Sequence, residues 1–270
     1  MNKDTLIISM TSWPKRIKLV AKAIFSLVKQ NVDSSKYHIV LVLAEPEFPN
    51  KEDDLPEDLS LMAENGVFEI IWYDRNIFSH KKLMPTLEKY PENPILVCDE
   101  DIIHPKDWLS YFIKDHEKHP KDILVGGCVY DVGFESNGKF NPMKRHYMDK
   151  PEFAGKEIIN RRPANGFGGV LYPAHTFTDK RFFDIDLLMQ LSKDSDESWQ
   201  YCFNIIEDRK LRWISKIFNH QFGEQKGAWE TSMGKMRSKD KTIASYEKIY
   251  ERLFSAFPEF KTKLIKKLNR

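Results

Sequence analysis

The sequence predicts an α/β fold with a mostly parallel central sheet. Three observations predict it. Strand-like and helix-like patterns alternate four times in the first half of the chain, as βαβ units do. The run His38–Leu43 (HIVLVL) is apolar throughout, as in a strand covered on both faces. The intervening helical patterns stop at turn and cap residues.

The elements follow in order. Thr5–Met10 is the first strand. Ile17–Lys29 places Ile17, Val20, Ala21, Ile24, Leu27 and Val28 on one helical stripe. His38–Leu43 is the second strand. Leu55–Glu64 is a helix, with Pro56 near its start and Asn65-Gly66 as its C-cap. Val67–Tyr73 is the third strand, Lys81–Tyr90 a helix and Pro94–Cys98 the fourth strand. Pro105–His119 is a helix opened by one proline and ended by another. Beyond it, Ile123–Val129 and Gly168–Tyr172 read as strands, and Phe182–Leu191, Asp196–Ile206 and Thr242–Phe257 as helices. Val132–Ala164, rich in Gly, Pro, Asn and charge, reads as a long loop or insertion.

Composition excludes classes without choosing a function. A chain of 270 residues holds one large domain or two small ones. With 41% hydrophobic and 30% charged residues it is neither disordered nor fibrous. Lys+Arg 42 against Asp+Glu 40 leaves +2, so no overall field favours nucleic acid or an anionic membrane. Cys98, Cys128 and Cys202 form no disulfide framework and no CxxC pair. A reduced, cytoplasmic compartment is the simplest reading. There is no secretory pattern at the amino terminus and no apolar run of the about 20 residues that would span a bilayer. The basic tail KTKLIKKLNR reads either as a solvated helix end or as weak peripheral contact with the inner face of a membrane.

The segment Ile95–Trp108 carries the strongest chemical signal. An apolar strand runs into Asp99-Glu100-Asp101, and alternation puts Asp99 and Asp101 on one side. Carboxylates at the carboxyl end of a parallel strand lie where open α/β sheets bind ligands. A hard divalent cation, Mn²⁺ or Mg²⁺, would relieve their repulsion and hold phosphates. The plainer alternative is an acidic turn. Arg162–Pro173 (RPANGFGGVLYP) clusters glycines before a strand; Gly168 and Gly169 would admit a ligand or make a tight turn. Asp194, Asp196 and Glu197 open a helix. They either cap it or supply a general base.

In Met10–Lys18, Thr11, Ser12, Trp13 and Arg16 follow the first strand, where they could hold a base, ribose and phosphate. Capping by Ser12 and Pro14 is the alternative. Lys81 and Lys82 could meet a diphosphate or lie solvated. His220, after an apolar run, could complete a metal shell, although a satisfied or exposed histidine is the commoner outcome.

Taken in order, SMTSWPKRI, SHKKLMP, VCDEDIIHPKDWL, ANGFGGVLYP and SDESW resemble the bacterial GT-A glycosyltransferases, closest to the family-2-like enzymes of surface-polysaccharide synthesis. The resemblance spans roughly residues 5–208. It implies a Rossmann-like α/β/α sandwich and a UDP-linked sugar donor used with Mn²⁺ or Mg²⁺. The acceptor would be a saccharide or a lipid-linked saccharide. Asp101 would bind the metal, Asp99 would lie by the ribose as well as the metal, and Glu100 stands where the family often has aspartate. Thr11, Ser12, Trp13 and Arg16 would line the nucleotide site, and Gly168 and Gly169 the sugar or acceptor. Asp196 is the favoured base, with Glu197 the alternative, and transfer would invert the anomeric centre. The implied catalytic domain is 1–235, divided near 125 into donor and acceptor halves, with a helical basic tail at 236–270. The rival functions are a metal-dependent phosphodiesterase or nuclease and a non-catalytic sugar-binding relative.

Overall fold

The structure is a computed structural model that describes residues 2–147, 151–158, 161–163, 167–216, 218, 221–228 and 239–269. Its frame is an eight-stranded sheet. The amino-terminal half contributes β1 (Leu6–Thr11), β2 (Tyr37–Ala44), β3 (Glu69–Tyr73) and β4 (Ile95–Val97). A short β5 (Ile102–Ile103) stands outside the frame. Then come β6 (Ile123–Val125), β7 (Val129–Phe134), β8 (Phe140–Tyr147), β9 (Glu157–Ile158), β10 (Arg161–Pro163), β11 (Val170–Tyr172), β12 (Leu211–Trp213) and β13 (Gly223–Glu224). The large sheet has the order β3-β2-β1-β4-β11-β6-β12-β9. Only β11 and β9 run against the rest. The sheet is thus mostly parallel, as predicted.

Strand alternation supplies two cores. Ile7, Val40, Val42, Ile95 and Val97 face one layer, while Leu6, Ile8, Ile39, Leu41 and Leu96 face the other. The second layer is closed by α1 (Ile17–Val28), α2 (Glu57–Glu64) and α4 (Trp108–Lys118). The first is closed by α3 (Met84–Lys89), α5 (Ile185–Ser192) and α6 (Asp196–Ile206). Two carboxy-terminal helices, α7 (Lys239–Ala256) and α8 (Pro258–Leu268), join that same layer. Ile249, Tyr250, Leu253, Phe257, Phe260 and Leu264 are buried in it. The basic end of the chain is therefore the outer face of a helix whose inner face is core.

The run Ile123–Val129 is not one strand: β6 ends at Val125 in the large sheet and β7 begins at Val129 in a smaller one. Two larger sequence expectations also need correction. Much of Val132–Ala164 is not loop. β7 and β8 form a hairpin that β10 extends into a three-stranded antiparallel sheet. One face of it is polar, which hides the strand pattern. Its other face is covered from α7, with Phe140 4.7 Å from Tyr250 between ring centroids. The second correction concerns Lys81–Tyr90. Residues Phe78–Lys82 form a 3₁₀ turn, and the α-helix begins only at Met84. Pro85 has no N–H to bond the carbonyl of residue 81, so it starts a helix rather than continuing one.

Gly126-Gly127 and Gly168-Gly169 cross at van der Waals distance. A Cβ on Gly168, whose φ is +78°, would sit 2.4 Å from the Gly127 Cα. Gly168→Ala is expected to cost about 3 kcal/mol or more through overpacking and left-handed strain, lowering Tm by roughly 6–12 °C. Gly138→Ala is the control, because Gly138 has φ +80° but nothing within 4 Å. It should cost only about 1 kcal/mol. Equal losses in thermal unfolding would contradict the crossing.

Candidate active site

Four segments converge at the carboxyl ends of β1 and β4, where a parallel sheet presents its loops for ligands. Cys98 continues β4 by hydrogen bonding its N–H to the Ser9 carbonyl at 3.1 Å. The chain then leaves the sheet through Asp99-Glu100-Asp101. The turn after β1 carries Arg16 to the same place. The Phe78–Lys82 turn arrives from β3, opened by Phe78 with φ +54°, a left-handed conformation that a non-glycine residue adopts at a cost. The first turn of α6 brings Asp196.

Lys82 joins these segments. Its buried Nζ lies 3.0 Å from Asp99 Oδ1 and 3.6 Å from Asp196 Oδ2. Burial opposes its charge, but Asp196 and Asp99 outweigh burial and push its pKa well above the ordinary lysine value. Asp196 is 5% exposed. Burial alone would raise its pKa, but Lys82, His80 and a Ser79 hydrogen bond together hold it below the usual carboxylate value. Its Oδ2 has no hydrogen-bond partner among the described residues. Asp99 keeps a 28% exposed side chain, so it can still reach a ligand. Burial, with Asp101 nearby, pushes its pKa up against the pull of Lys82.

Arg16 organises the other acids. It ion-pairs with Asp101 through Nη2, and its Nε lies 3.2 Å from Glu100 Oε1. Burial raises the Glu100 pKa to about 7, even with Arg16 opposing. Lys81 points elsewhere. It pairs with Glu47 and donates to Asn76 Oδ1 at 3.1 Å, and burial lowers its pKa. Ser12 Oγ, at the end of β1, is buried without a partner among the described residues. Thr11 instead spends its hydroxyl on the Val42 carbonyl at 2.7 Å. Trp13 is half-buried, with Lys15 5.4 Å from its ring centroid.

The remaining sequence candidates divide. Glu197, next to Asp196, turns away to Arg162 at 2.9 Å and Tyr246 at 2.8 Å. Gly168 and Gly169 lie against protein: Trp108 Nε1 donates to the Gly168 carbonyl at 2.8 Å, and a Cβ on Gly169 would lie 2.6 Å from the same ring. Their missing side chains make room for Trp108 and Gly126-Gly127. His220 lies outside the described residues. Among the described residues no three His, Cys, Asp or Glu are grouped to cage a metal. Asp99 is paired with Lys82 and Asp101 with Arg16, so an ion held by these two acids would complete its shell from substrate phosphates and water.

Sequence reasoning missed His80, Ser79, Glu47 and Arg162. His80 and Ser79 lay inside the quoted SHKKLMP block. His80 Nε2 is 2.9 Å from the Ser192 carbonyl, and burial lowers its pKa. Glu47 sits in an unremarkable EPE turn and shows no sequence signal. A cavity of about 580 Å³ lies at the opposite end of the sheet, lined in part by Thr5, Leu6, Pro94 and His116. It includes none of the acidic residues above.

No family model matches the sequence, and no curated protein matches it. Solved structures do. The chain is similar to S. aureus TarS 1-349 in complex with UDP, at TM-score 0.51 and 12% identity over 79% of this chain. It is also similar to the crystal structure of S. aureus TarS 1-349, at TM-score 0.50 and 13% identity over 79% of this chain. The chain spans 59% of the length of each of those structures. No helix among the described residues is long and apolar enough to cross a membrane.

Behind the acidic turn, His104 is buried with neither ring nitrogen partnered. It packs 4.1 Å from Trp108 between ring centroids, and burial lowers its pKa to about 3. Its folded pKa thus lies below the unfolded value of about 6.5. Its contribution to stability is present above pH 6.5 and is lost as pH falls toward 3. Urea unfolding of His104→Phe at pH 7 and pH 4.5 checks this. The variant should gain about 2 kcal/mol on the parent between those two values; an unchanged difference would contradict it. At such low identity the comparison speaks for architecture, and the architecture of this chain is the GT-A α/β/α sandwich.

Proposed function

We propose that the protein is a metal-dependent glycosyltransferase that moves a sugar from a nucleotide donor, UDP-linked, to a saccharide or lipid-linked saccharide, with inversion. The observation that carries this is the Lys82 bridge. One buried ammonium joins Asp99, on the donor side, to Asp196, whose Oδ2 lies 3.6 Å from that ammonium without a hydrogen bond among the described residues. A buried carboxylate oxygen with no hydrogen bond is costly, and an incoming hydroxyl would supply one. The UDP named for the similar TarS structure supports a uridine nucleotide, and the orphaned Ser12 hydroxyl at the end of β1 supports a polar ligand there. The family resemblance supports a role in surface-polysaccharide synthesis.

Each residue then has a task. Asp196 accepts the proton of the acceptor hydroxyl as its oxygen attacks the anomeric carbon. The bond from that carbon to the diphosphate oxygen breaks, and the leaving group takes the electron pair. Lys82 is held ready in a nearly dry site, where a positive charge is worth more than in water. Arg16 fixes Asp101 and Glu100, and so keeps those two acids from spreading apart under their own repulsion. A divalent ion on Asp99 and Asp101 would supply Lewis-acid neutralisation of the diphosphate. Asp196 is preferred to Glu197 as base because Glu197 already has two partners. The domain proposal is one catalytic unit with α7 and α8 as its closing helices. Peripheral membrane contact through the outer lysines of α8 remains part of the reading.

A screen of nucleotide sugars with Mn²⁺ or Mg²⁺ tests the activity. Asp196→Asn is expected to lower transfer by about 10²–10⁴-fold while donor affinity is kept. Asp101→Ala should abolish metal-dependent transfer in a protein that still folds. A retained anomeric configuration, read by NMR of the product, would overturn the single displacement. Cleavage of nucleic acid with no response to any nucleotide sugar would favour the phosphodiesterase reading.

A further inference from the structure

We propose that Arg162 is a positioning residue: by locking Glu197 to the small antiparallel sheet, it sets the angle at which Asp196 meets Lys82. This rests on the reading of Asp196 as the base. Arg162 on β10 is fully buried, with 0% of its side chain exposed. Its Nε donates to the Pro142 carbonyl at 2.8 Å, and Nη1 donates to Glu197 Oε2 at 2.9 Å. The guanidinium lies near two rings, 4.7 Å from the centroid of Tyr130 and 4.8 Å from that of Tyr246. Tyr130 is its cross-strand neighbour on β7. Tyr246 comes from α7, and its hydroxyl donates to the same Glu197 oxygen at 2.8 Å. A planar guanidinium held by two hydrogen bonds and close to two rings has little freedom to swing.

Residues 196 and 197 are consecutive in the first turn of α6, so their side chains project about 100° apart around the helix. Glu197 is held on one side and Asp196 faces Lys82 on another. Fixing the first residue fixes the rotation of the turn, and with it the second. Plain stability is a weaker explanation, since apolar residues of like volume hold a core as well as a buried ion pair does. α6 is already anchored further along, where Trp199 and Phe203 are fully buried and Trp199 Nε1 donates to the Phe182 carbonyl at 3.0 Å.

Two measurements test this. In steady-state kinetics, Arg162→Met should lower kcat tenfold or more with donor Kd within threefold of the parent. Glu197→Gln, whose amide oxygen can still accept from Arg162 and Tyr246, should keep at least a third of kcat, whereas Glu197→Ala should fall with Arg162→Met. Parental kcat in Arg162→Met would overturn the proposal, as would a kcat loss matched by lost donor affinity. A Glu197→Gln variant as inert as Asp196→Asn would make Glu197 catalytic and also overturn it. The second measurement needs no turnover: a thermal-unfolding cycle of Lys82→Met and Arg162→Met. Distant, independent sites give additive losses. Here the Tm loss from Lys82→Met should shrink by at least half in the Arg162→Met background, and additive losses would overturn the coupling. If the parent transfers no sugar from any donor, the glycosyltransferase reading fails while the cycle still decides whether Arg162 governs the Asp196–Lys82 contact.

Discussion

A buried ammonium shared by two carboxylates from distant parts of the chain is the contact around which the site is organised. Lys82 sits on a 3₁₀ turn after β3, Asp99 on the exit from β4, and Asp196 at the start of α6. Removing water from any one of these charges alone would be costly. Together they are tolerable, because the two carboxylates outweigh the desolvation of the lysine, and the lysine outweighs that of Asp196 and opposes that of Asp99. The pKa directions show the balance: Lys82 is pushed well up, and Asp196 is held down despite its burial. The cost of the cluster constrains the fold, since a turn that drifted would leave a buried charge without its partner.

The sheet makes that arrangement possible. In a parallel sheet every strand points its carboxyl end the same way, so β1 and β4 deliver their following loops to one edge. β11 enters between β4 and β6 in the reverse direction, and its approach needs Gly168 and Gly169. There the chain crosses Gly126-Gly127 so closely that only glycine leaves room, and Trp108 fills the remainder. The glycines that resemble a ligand cradle in sequence thus serve by letting the second half of the sheet dock beside the acidic turn.

The sequence was most legible where one physical rule acted alone. Apolar periodicity placed β1, β2 and α1, and acids ahead of an apolar stripe placed the start of α6 at Asp196. It was least legible where two rules competed. Pro85 broke the pattern that joined Lys81 to α3. The β7–β8 hairpin was masked because its apolar side is buried by α7, which lies far along the chain. The acidic pair stood out in the sequence because Asp99 and Asp101 follow an apolar strand directly. Their cationic partners were not, because nothing in local spacing says that Arg16 closes on Asp101 and Lys82 on Asp99. Such pairings belong to topology.

Adjacent acids at a helix start illustrate the limit further. Asp196 and Glu197 have similar chemistry and nearly the same place in the chain, and either would favour the helix dipole. Their roles separate only in three dimensions. One oxygen of Glu197 receives both Arg162 and Tyr246, while Asp196 Oδ2 lies 3.6 Å from Lys82 with no hydrogen-bond partner among the described residues. The helix geometry that puts about 100° between them lets one side of the turn be satisfied by structure while the other faces Lys82. If Asp196 is the base, as proposed, the small sheet and α7 are bound into the chemistry through its neighbour Glu197.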